Sequence, residues 1–234
     1  MSATRLNFDP RAIPVAGTDA HLPAVPAERL QPDPLRRRFA DRSPWTPEWP
    51  GDNARLDIAR GPTPAAVLVP LVQRPEGLRV LLTERTAHLR DHAGQVSFPG
   101  GRVDPGDAHA VDTALREAEE EIGLARRQIE VIGELPVYAT VTNFQVTPVV
   151  ALVEPPSALR LDAFEVAEAF EVPLEFLMTP AHHRRHEFEF NGLPRRFLSM
   201  PWLGAPDAAA TPREYFIWGA TAAMLRNLYR FLMR

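Results

Sequence analysis

Two apolar runs joined by a turn mark the first regular structure in the chain. Residues 65–72 are continuously apolar, and Arg79-Val80-Leu81-Leu82-Thr83 follows after Pro75-Glu76-Gly77, so the pattern predicts a hairpin. Residues 111–122 switch to good helix formers, and Gly123 stands where a left-handed C-cap belongs, which predicts a helix. Residues 129–142 and 145–153 read as two further strands. Residues 174–178 read as a short helix opened by Pro173. His186-Glu187-Phe188-Glu189-Phe190 alternates, turns at Asn191-Gly192 and resumes over residues 195–198 as a second hairpin. Residues 215–217 read as a strand. Residues 218–232 read as a closing helix with Met224, Leu225, Leu228, Phe231 and Leu232 on its apolar face. Strands and helices are mixed in order, without repeats, which predicts an α+β or layered α/β/α domain.

The segment before this pattern is different. Proline recurs every few residues between Pro10 and Pro64, densest at Trp45-Thr46-Pro47-Glu48-Trp49-Pro50, so it is mostly extended or irregular. A short amphipathic helix fits residues 34–41, with Leu35 and Phe39 apolar and Arg36, Arg37 and Arg38 polar. Residues 1–60 therefore read as an arm packed on a main domain of residues 61–234. The pattern leaves open whether the arm also covers a site or mediates homodimer contacts.

Composition narrows the function classes. The 234 residues are 45% hydrophobic and 24% charged, ordinary for a globular protein. The formal charge of -4 argues against a general nucleic-acid binder, which would lean basic, so any phosphate must be held by a few placed arginines. There is no Cys, which excludes disulfides, thiolate nucleophiles and Cys-ligated zinc. No apolar run reaches the roughly 18 residues of a membrane span. The N-terminal residues lack a signal-like apolar region, so a cytoplasmic location is expected.

The chemistry concentrates in the predicted helix. Glu117, Glu120 and Glu121 are spaced i, i+3 and i+4 and share one helix face, while Glu119 lies about 200° round from Glu117. Like charges on one face repel by a few tenths of a kcal/mol per pair. A divalent cation removes that cost, and hard carboxylate oxygens suit Mg²⁺ or Mn²⁺. Alone, such a run is usually a solvated acidic face. The preceding loop Phe98-Pro99-Gly100-Gly101 changes the weighting, because paired glycines let backbone approach a ligand or metal closely.

At these residues the chain resembles the Nudix family, whose box is written G-x5-E-x7-R-E-U-x-E-E-x-G-U with U aliphatic. Gly101 supplies the first glycine, and Arg116, Glu117, Ala118, Glu120, Glu121, Gly123 and Leu124 fit the second half. Asp107 replaces the first Glu, and eight residues rather than seven separate it from Arg116. The stretch from Leu81 to Gly101 further resembles the coenzyme A pyrophosphatase branch, L-L-T-x-R-[SA]-x3-R-x3-G-x3-F-P-G-G, departing at Thr86. The resemblance covers residues 81–124, with looser likeness at residues 142–150 and 215–219.

The resemblance implies a Nudix-type α/β/α sandwich with a mixed central sheet. It implies hydrolysis of the pyrophosphate of coenzyme A or its thioesters, a small-molecule substrate, to 3′,5′-ADP and (acyl-)4′-phosphopantetheine. Glu117 and Glu121 would be the main ligands of Mg²⁺ or Mn²⁺, with Glu120 assisting and the Gly101 carbonyl a further ligand. Arg116 would pair with Asp107 to join loop and helix. Arg85 and Arg90 would meet phosphate, since the guanidinium fork suits its oxygens. Thr83 and Gly94, fixed positions of the same signature, are carried over to the substrate side. Phe98 would either stack on adenine or plug the core under the loop. A base from outside the box is expected, with Glu165 preferred over Glu168. Loop residues His88 and His92 lie near enough to touch substrate, although such histidines are usually only exposed.

Two other features are weighed and set aside. His182, His183 and His186 invite a zinc site, but no Glu follows in an H-E-x-x-H pattern and two arginines intervene. Arg226, Arg230 and Arg234 on the closing helix are too sparse for a membrane-surface helix, whose apolar face fits core packing better. A Nudix enzyme acting on ADP-ribose or a dinucleotide, and a Nudix module that binds without cutting, remain alternatives. The three intact carboxylates count against the second.

Overall fold

The described part of the proline-rich segment packs on the rest of the chain. The structure is a computed structural model that describes residues 9–52, 61–88, 94–156, 158–190, 192–204 and 210–234. The arm contributes strand β1 (Val15–Thr18) and helix α1 (Pro32–Ala40). Two prolines occupy the first turn of α1, where a missing N–H costs nothing. Leu35 and Phe39 are buried, and the Phe39 ring packs 4.7 Å from that of Phe231. Gly133 makes room, since a Cβ there would stand 2.6 Å from Phe39 Cδ1.

The main domain begins with the expected hairpin, β2 (Thr63–Arg74) and β3 (Gly77–Arg85), turned by Gly77 at φ 123°. Short strands β4 (Val96–Ser97) and β5 (Gly100–Arg102) lead to helix α2 (Ala110–Ile122). Then come β6 (Ile129–Glu134), β7 (Tyr138–Ala139), β8 (Phe144–Val153), β9 (Val166–Pro173) and the single turn α3 (Leu174–Leu177). The chain closes with β10 (Arg184–Phe190), β11 (Leu193–Gly204), β12 (Arg213–Trp218) and helix α4 (Gly219–Leu232).

The central sheet is mixed. β2 runs parallel to β8 from Thr63↔Phe144 to Val72↔Val153 and antiparallel to β3 and β5. β3 also pairs with β4 and β9, and β8 with β6 and β7, all antiparallel. A parallel pair needs a long crossover, and α2 lies within it. A second, antiparallel sheet has the order β1-β10-β11-β12.

Alternation within the apolar runs divides the core in two. Ala66, Leu68 and Val72 of β2, Leu81 of β3, and Val149, Ala151 and Val153 of β8 face Ala114, Ala118 and Ile122 of α2. Their neighbours Val69, Leu71, Val80, Leu82, Val150 and Leu152 face a larger core shared with the second sheet and α4. Both faces are covered, so these strands read as continuous apolar runs rather than alternating ones. The α+β class with a mixed central sheet and flanking helices is the fold observed.

Several boundaries differ from the pattern. The strand expected over 129–142 breaks after Glu134: Leu135 still bonds the Pro148 carbonyl at 2.9 Å, Pro136 has no donor, and pairing resumes at Tyr138. Trp218 remains in the sheet opposite Ser199, and Gly219 at φ 60° turns the chain into α4. β1 was not foreseen, because all four of its residues are exposed and give no apolar signal.

α4 ties the arm down. Arg226 is buried, with Nε 2.8 Å from Glu48, Nη1 3.2 Å from Asp19 and Nη1 3.1 Å from His183 Nδ1. Asn227 accepts from the Trp49 N–H at 2.9 Å and donates to the Trp49 carbonyl at 2.7 Å. A buried cation requires such partners. Among the described residues, no helix is long and apolar enough to cross a membrane.

Candidate active site

The acidic helix is closed at both ends. The His109 N–H donates to the Asp112 side chain at 3.1 Å, and Gly123 ends the helix in the left-handed conformation at φ 68°. Its buried stripe of Ala114, Ala118 and Ile122 fixes its rotation on the sheet, which grades the carboxylates by depth. Glu121 is 5% exposed. Glu117 is partly buried, and the Glu120 side chain is 60% exposed. Glu119 points away, 3.8 Å from Arg126 Nε.

The two loop glycines are needed for space. A Cβ on Gly100 would lie 2.4 Å from the Ala66 carbonyl oxygen, and one on Gly101 would lie 2.4 Å from Glu117 Oε1. Gly100 thus lets the loop pair with β2, and Gly101 lets Glu117 rest against the loop backbone.

Arg116 binds loop and helix together. Its Nε and Nη2 donate to Asp107 at 3.2 and 2.9 Å, and Nη2 donates to the Arg102 carbonyl at 3.1 Å. Asp107 also accepts from Thr113 Oγ1 at 2.8 Å and from the Asp104 N–H at 3.0 Å. The Arg116 guanidinium, followed by the Asp104 N–H, holds its carboxyl well below the usual carboxylate range. The Asp107 N–H also closes a turn on the Asp104 carbonyl at 2.9 Å. Arg116 does more than expected, because Nη1 also donates to Glu117 at 2.9 Å and Glu120 at 3.0 Å.

Glu121 sits at the bottom of the site. Burial pushes its carboxyl up to about 8, partly offset by Arg85 and the Gly100 N–H and reinforced by the charges of Glu117 and Glu165. Arg85 lies between two carboxylates, 3.8 Å from Glu121 Oε1 and 3.7 Å from Glu165 Oε2. It is therefore first of all a counter-ion, and its side chain remains 24% exposed.

Glu165 is delivered by a segment that caps the helix. Arg160 N–H donates to the Ile122 carbonyl at 3.0 Å, and Asp162 N–H to the Glu121 carbonyl at 2.8 Å, satisfying acceptors the helix end leaves free. Asp162 Oδ1 then accepts the Phe164 N–H at 2.8 Å. Thr86 donates its N–H to the Glu165 carbonyl at 3.0 Å and its hydroxyl to the Phe164 carbonyl at 2.7 Å. The departure at Thr86 thus supplies a hydroxyl tether that Ala could not. Glu168 is turned elsewhere: the register shifts where Glu84↔Glu168 is followed by Arg85↔Val166, and Glu168 contacts Arg213 and accepts from Tyr215 at 2.9 Å.

Three of the substrate-side candidates have partners within the chain. The Thr83 side chain is buried, with its hydroxyl 3.3 Å from the Ser97 carbonyl and Oγ. Phe98 is 3% exposed and belongs to the larger core, so it plugs the loop and has no free face for stacking. Gly94, at φ 68°, closes the loop by donating its N–H to the Arg85 carbonyl at 3.1 Å. Arg90 and His92 lie outside the described residues. The histidines set aside above have protein partners. His182 stacks on Phe176 at 4.0 Å, His183 is 2.8 Å from the Leu177 carbonyl, and His186 is 2.9 Å from the Ile13 carbonyl.

The sequence reading passed over Phe164. It is 65% exposed beside Glu165, with its ring centroid 5.0 Å from that of His88. The available signal was an aromatic standing in the polar stretch Asp162-Ala163-Phe164-Glu165. Among the described residues, no three acidic or histidine side chains converge as a formed metal cluster, since Arg116 draws Glu117 and Glu120 to itself.

Residues 62–192 match the NUDIX domain. The chain is 45% identical over 166 residues to "Uncharacterized Nudix hydrolase NudL" of Escherichia coli K12, covering 70% of this chain and 80% of that protein. The chain belongs to the Nudix hydrolase family. Among solved structures it is similar to the Nudix hydrolase RenU of M. smegmatis, with 27% identity and a TM-score of 0.42 over 49% of this chain and 73% of that one. A C. elegans Ap4A hydrolase gives 24% identity and a TM-score of 0.41 over 51% and 85%.

Proposed function

We propose that the protein hydrolyses the pyrophosphate of coenzyme A or its thioesters in the presence of Mg²⁺ or Mn²⁺, giving 3′,5′-ADP and (acyl-)4′-phosphopantetheine. One stretch carries this reading. Residues 81–101 resemble the coenzyme A pyrophosphatase signature, departing at Thr86, and Arg85 and Gly101 of this stretch lie beside Glu121 and Glu117.

The residues fit a divalent cation. Glu117, Glu121 and Glu120 offer hard oxygens from one helix face, and the Gly101 carbonyl lies on the adjoining loop. Glu121 makes the strongest case, because its carboxyl is buried with only a 3.8 Å contact to a cation. When bound, the ion neutralises pyrophosphate oxygens and lowers the pKa of water.

The chain's own groups supply the rest. Arg85 holds a phosphate oxygen beside the helix. Glu165, on the rim, accepts the proton of the attacking water as its oxygen bonds to phosphorus. The bridging P–O bond breaks, and its electron pair leaves with the other phosphate. Arg116 keeps Glu117 and Glu120 on the loop side of the helix and is a positioning residue.

The test is incubation with Mg²⁺ or Mn²⁺ and coenzyme A, acyl-coenzyme A, ADP-ribose or nucleoside triphosphates, reading 3′,5′-ADP by mass spectrometry. Release of 3′,5′-ADP from coenzyme A or its thioesters is expected. Turnover of ADP-ribose or triphosphates alone would reject the coenzyme A reading, and no turnover at all would favour a binding module.

A further inference from the structure

We infer that Phe164, beside His88, is the platform on which the nucleobase of the substrate stacks. The inference rests on reading the neighbouring carboxylates as a nucleotide pyrophosphohydrolase site.

Phe164 is 65% exposed, and it is the only aromatic among the strongly exposed large hydrophobic side chains of the described residues. Exposing a phenyl ring forgoes burial worth roughly 1.5–3 kcal/mol. Its position is nonetheless defined. The backbone N–H is held by Asp162 and the carbonyl by Thr86, whose own N–H binds the next residue, Glu165. The ring is thus presented from a fastened turn. His88 stands beside it with its ring at 58° to the Phe164 plane, and most of the Phe164 side chain stays exposed. A flat π-system can stack on an exposed phenyl ring in an offset arrangement, a favourable aromatic geometry.

The other aromatics near the site are committed. Phe98 is buried in the core, Phe144 lies under the Arg102 guanidinium at 5.2 Å, and Phe170 and Tyr215 stack on each other at 3.7 Å. Phe164 is also joined directly to Glu165, which contacts Arg85, so a base on the ring places its phosphates toward the cation and carboxylates. A planar heterocycle gains from a rigid ring face, whereas a flexible amide-bearing pantetheine chain gains little. The ring therefore selects the adenine end.

Equilibrium binding of 3′,5′-ADP and of 4′-phosphopantetheine, by calorimetry without added metal, tests this with Phe164→Ala, Phe164→Leu and Phe164→Trp. Loss of stacking is expected to weaken 3′,5′-ADP about tenfold in the Ala and Leu variants, with Trp within about twofold of wild type and 4′-phosphopantetheine unchanged in all. Wild-type affinity for 3′,5′-ADP in Phe164→Ala overturns the inference. Full affinity in Phe164→Leu overturns it too, because an apolar cover would then suffice, as does a loss confined to 4′-phosphopantetheine or no measurable 3′,5′-ADP binding by wild type. Failure of the substrate reading looks different: wild type would cleave ADP-ribose but not coenzyme A while the Phe164 variants still lost 3′,5′-ADP.

Discussion

Gly101 lies directly against Glu117, so that a Cβ added to the glycine would stand 2.4 Å from Glu117 Oε1. The neighbouring glycine faces a different obstacle, the Ala66 carbonyl oxygen at 2.4 Å and Val67 Cα at 2.6 Å. The two substitutions should therefore fail differently. Gly101→Ala pushes the far end of a flexible side chain, so the melting temperature should hold while kcat falls about a hundredfold. Gly100→Ala pushes backbone and should cost about 1–3 kcal/mol of stability. Thermal melts and kinetics on both variants separate the cases; equal melting temperatures would count against this geometry.

Glu117→Gln and Glu121→Gln should each lower turnover at least about a hundredfold while circular dichroism stays unchanged, since each removes a charge that the reaction needs. Burial already drives Glu121 toward its neutral form, so the neutral, similarly shaped Gln should leave the melting temperature unchanged. Near wild-type turnover in either variant would sink the metal assignment.

The arm should depend on Arg226. Arg226→Ala takes one of two cations from the buried Asp19 carboxylate, leaving it Arg185, and removes a partner of Glu48. Breaking a buried pair outright costs about 3–5 kcal/mol, and the remaining contacts to Arg185 keep the loss below that range. Urea unfolding of the variant should show that loss. A midpoint equal to wild type would mean the network contributes nothing to stability.

His183 should make the protein acid-sensitive. Burial, together with nearby Arg226, depresses its imidazole to about 4, so it stays neutral in the folded chain while the unfolded chain protonates near 6.5. A depressed histidine contributes stability above its unfolded value and loses it as pH falls through that value toward 4. Between pH 7 and pH 5 the loss is about 2 kcal/mol. Urea titrations at both pH values should show this drop in wild type and a smaller one in His183→Gln; the same drop in both would assign the sensitivity elsewhere.

The acidic helix and the hairpins were legible in the chain because each is a local pattern. The spacing of Glu117, Glu120 and Glu121 alone set them on one face, whereas the break of the expected strand at Pro136 emerged only in the fold. Local pattern could not rank the three carboxylates, because their depth depends on how Ala114, Ala118 and Ile122 seat α2 on the sheet. It could not place Glu165, which reaches Arg85 only because residues 160–162 satisfy the carbonyls at the end of α2. Nor could it choose between the two readings of Phe98 or see that Phe164 would be left exposed. Those outcomes depend on contacts between residues far apart in sequence. The helix that carries the chemistry was therefore set by sequence, and what surrounds its carboxylates was decided by the fold.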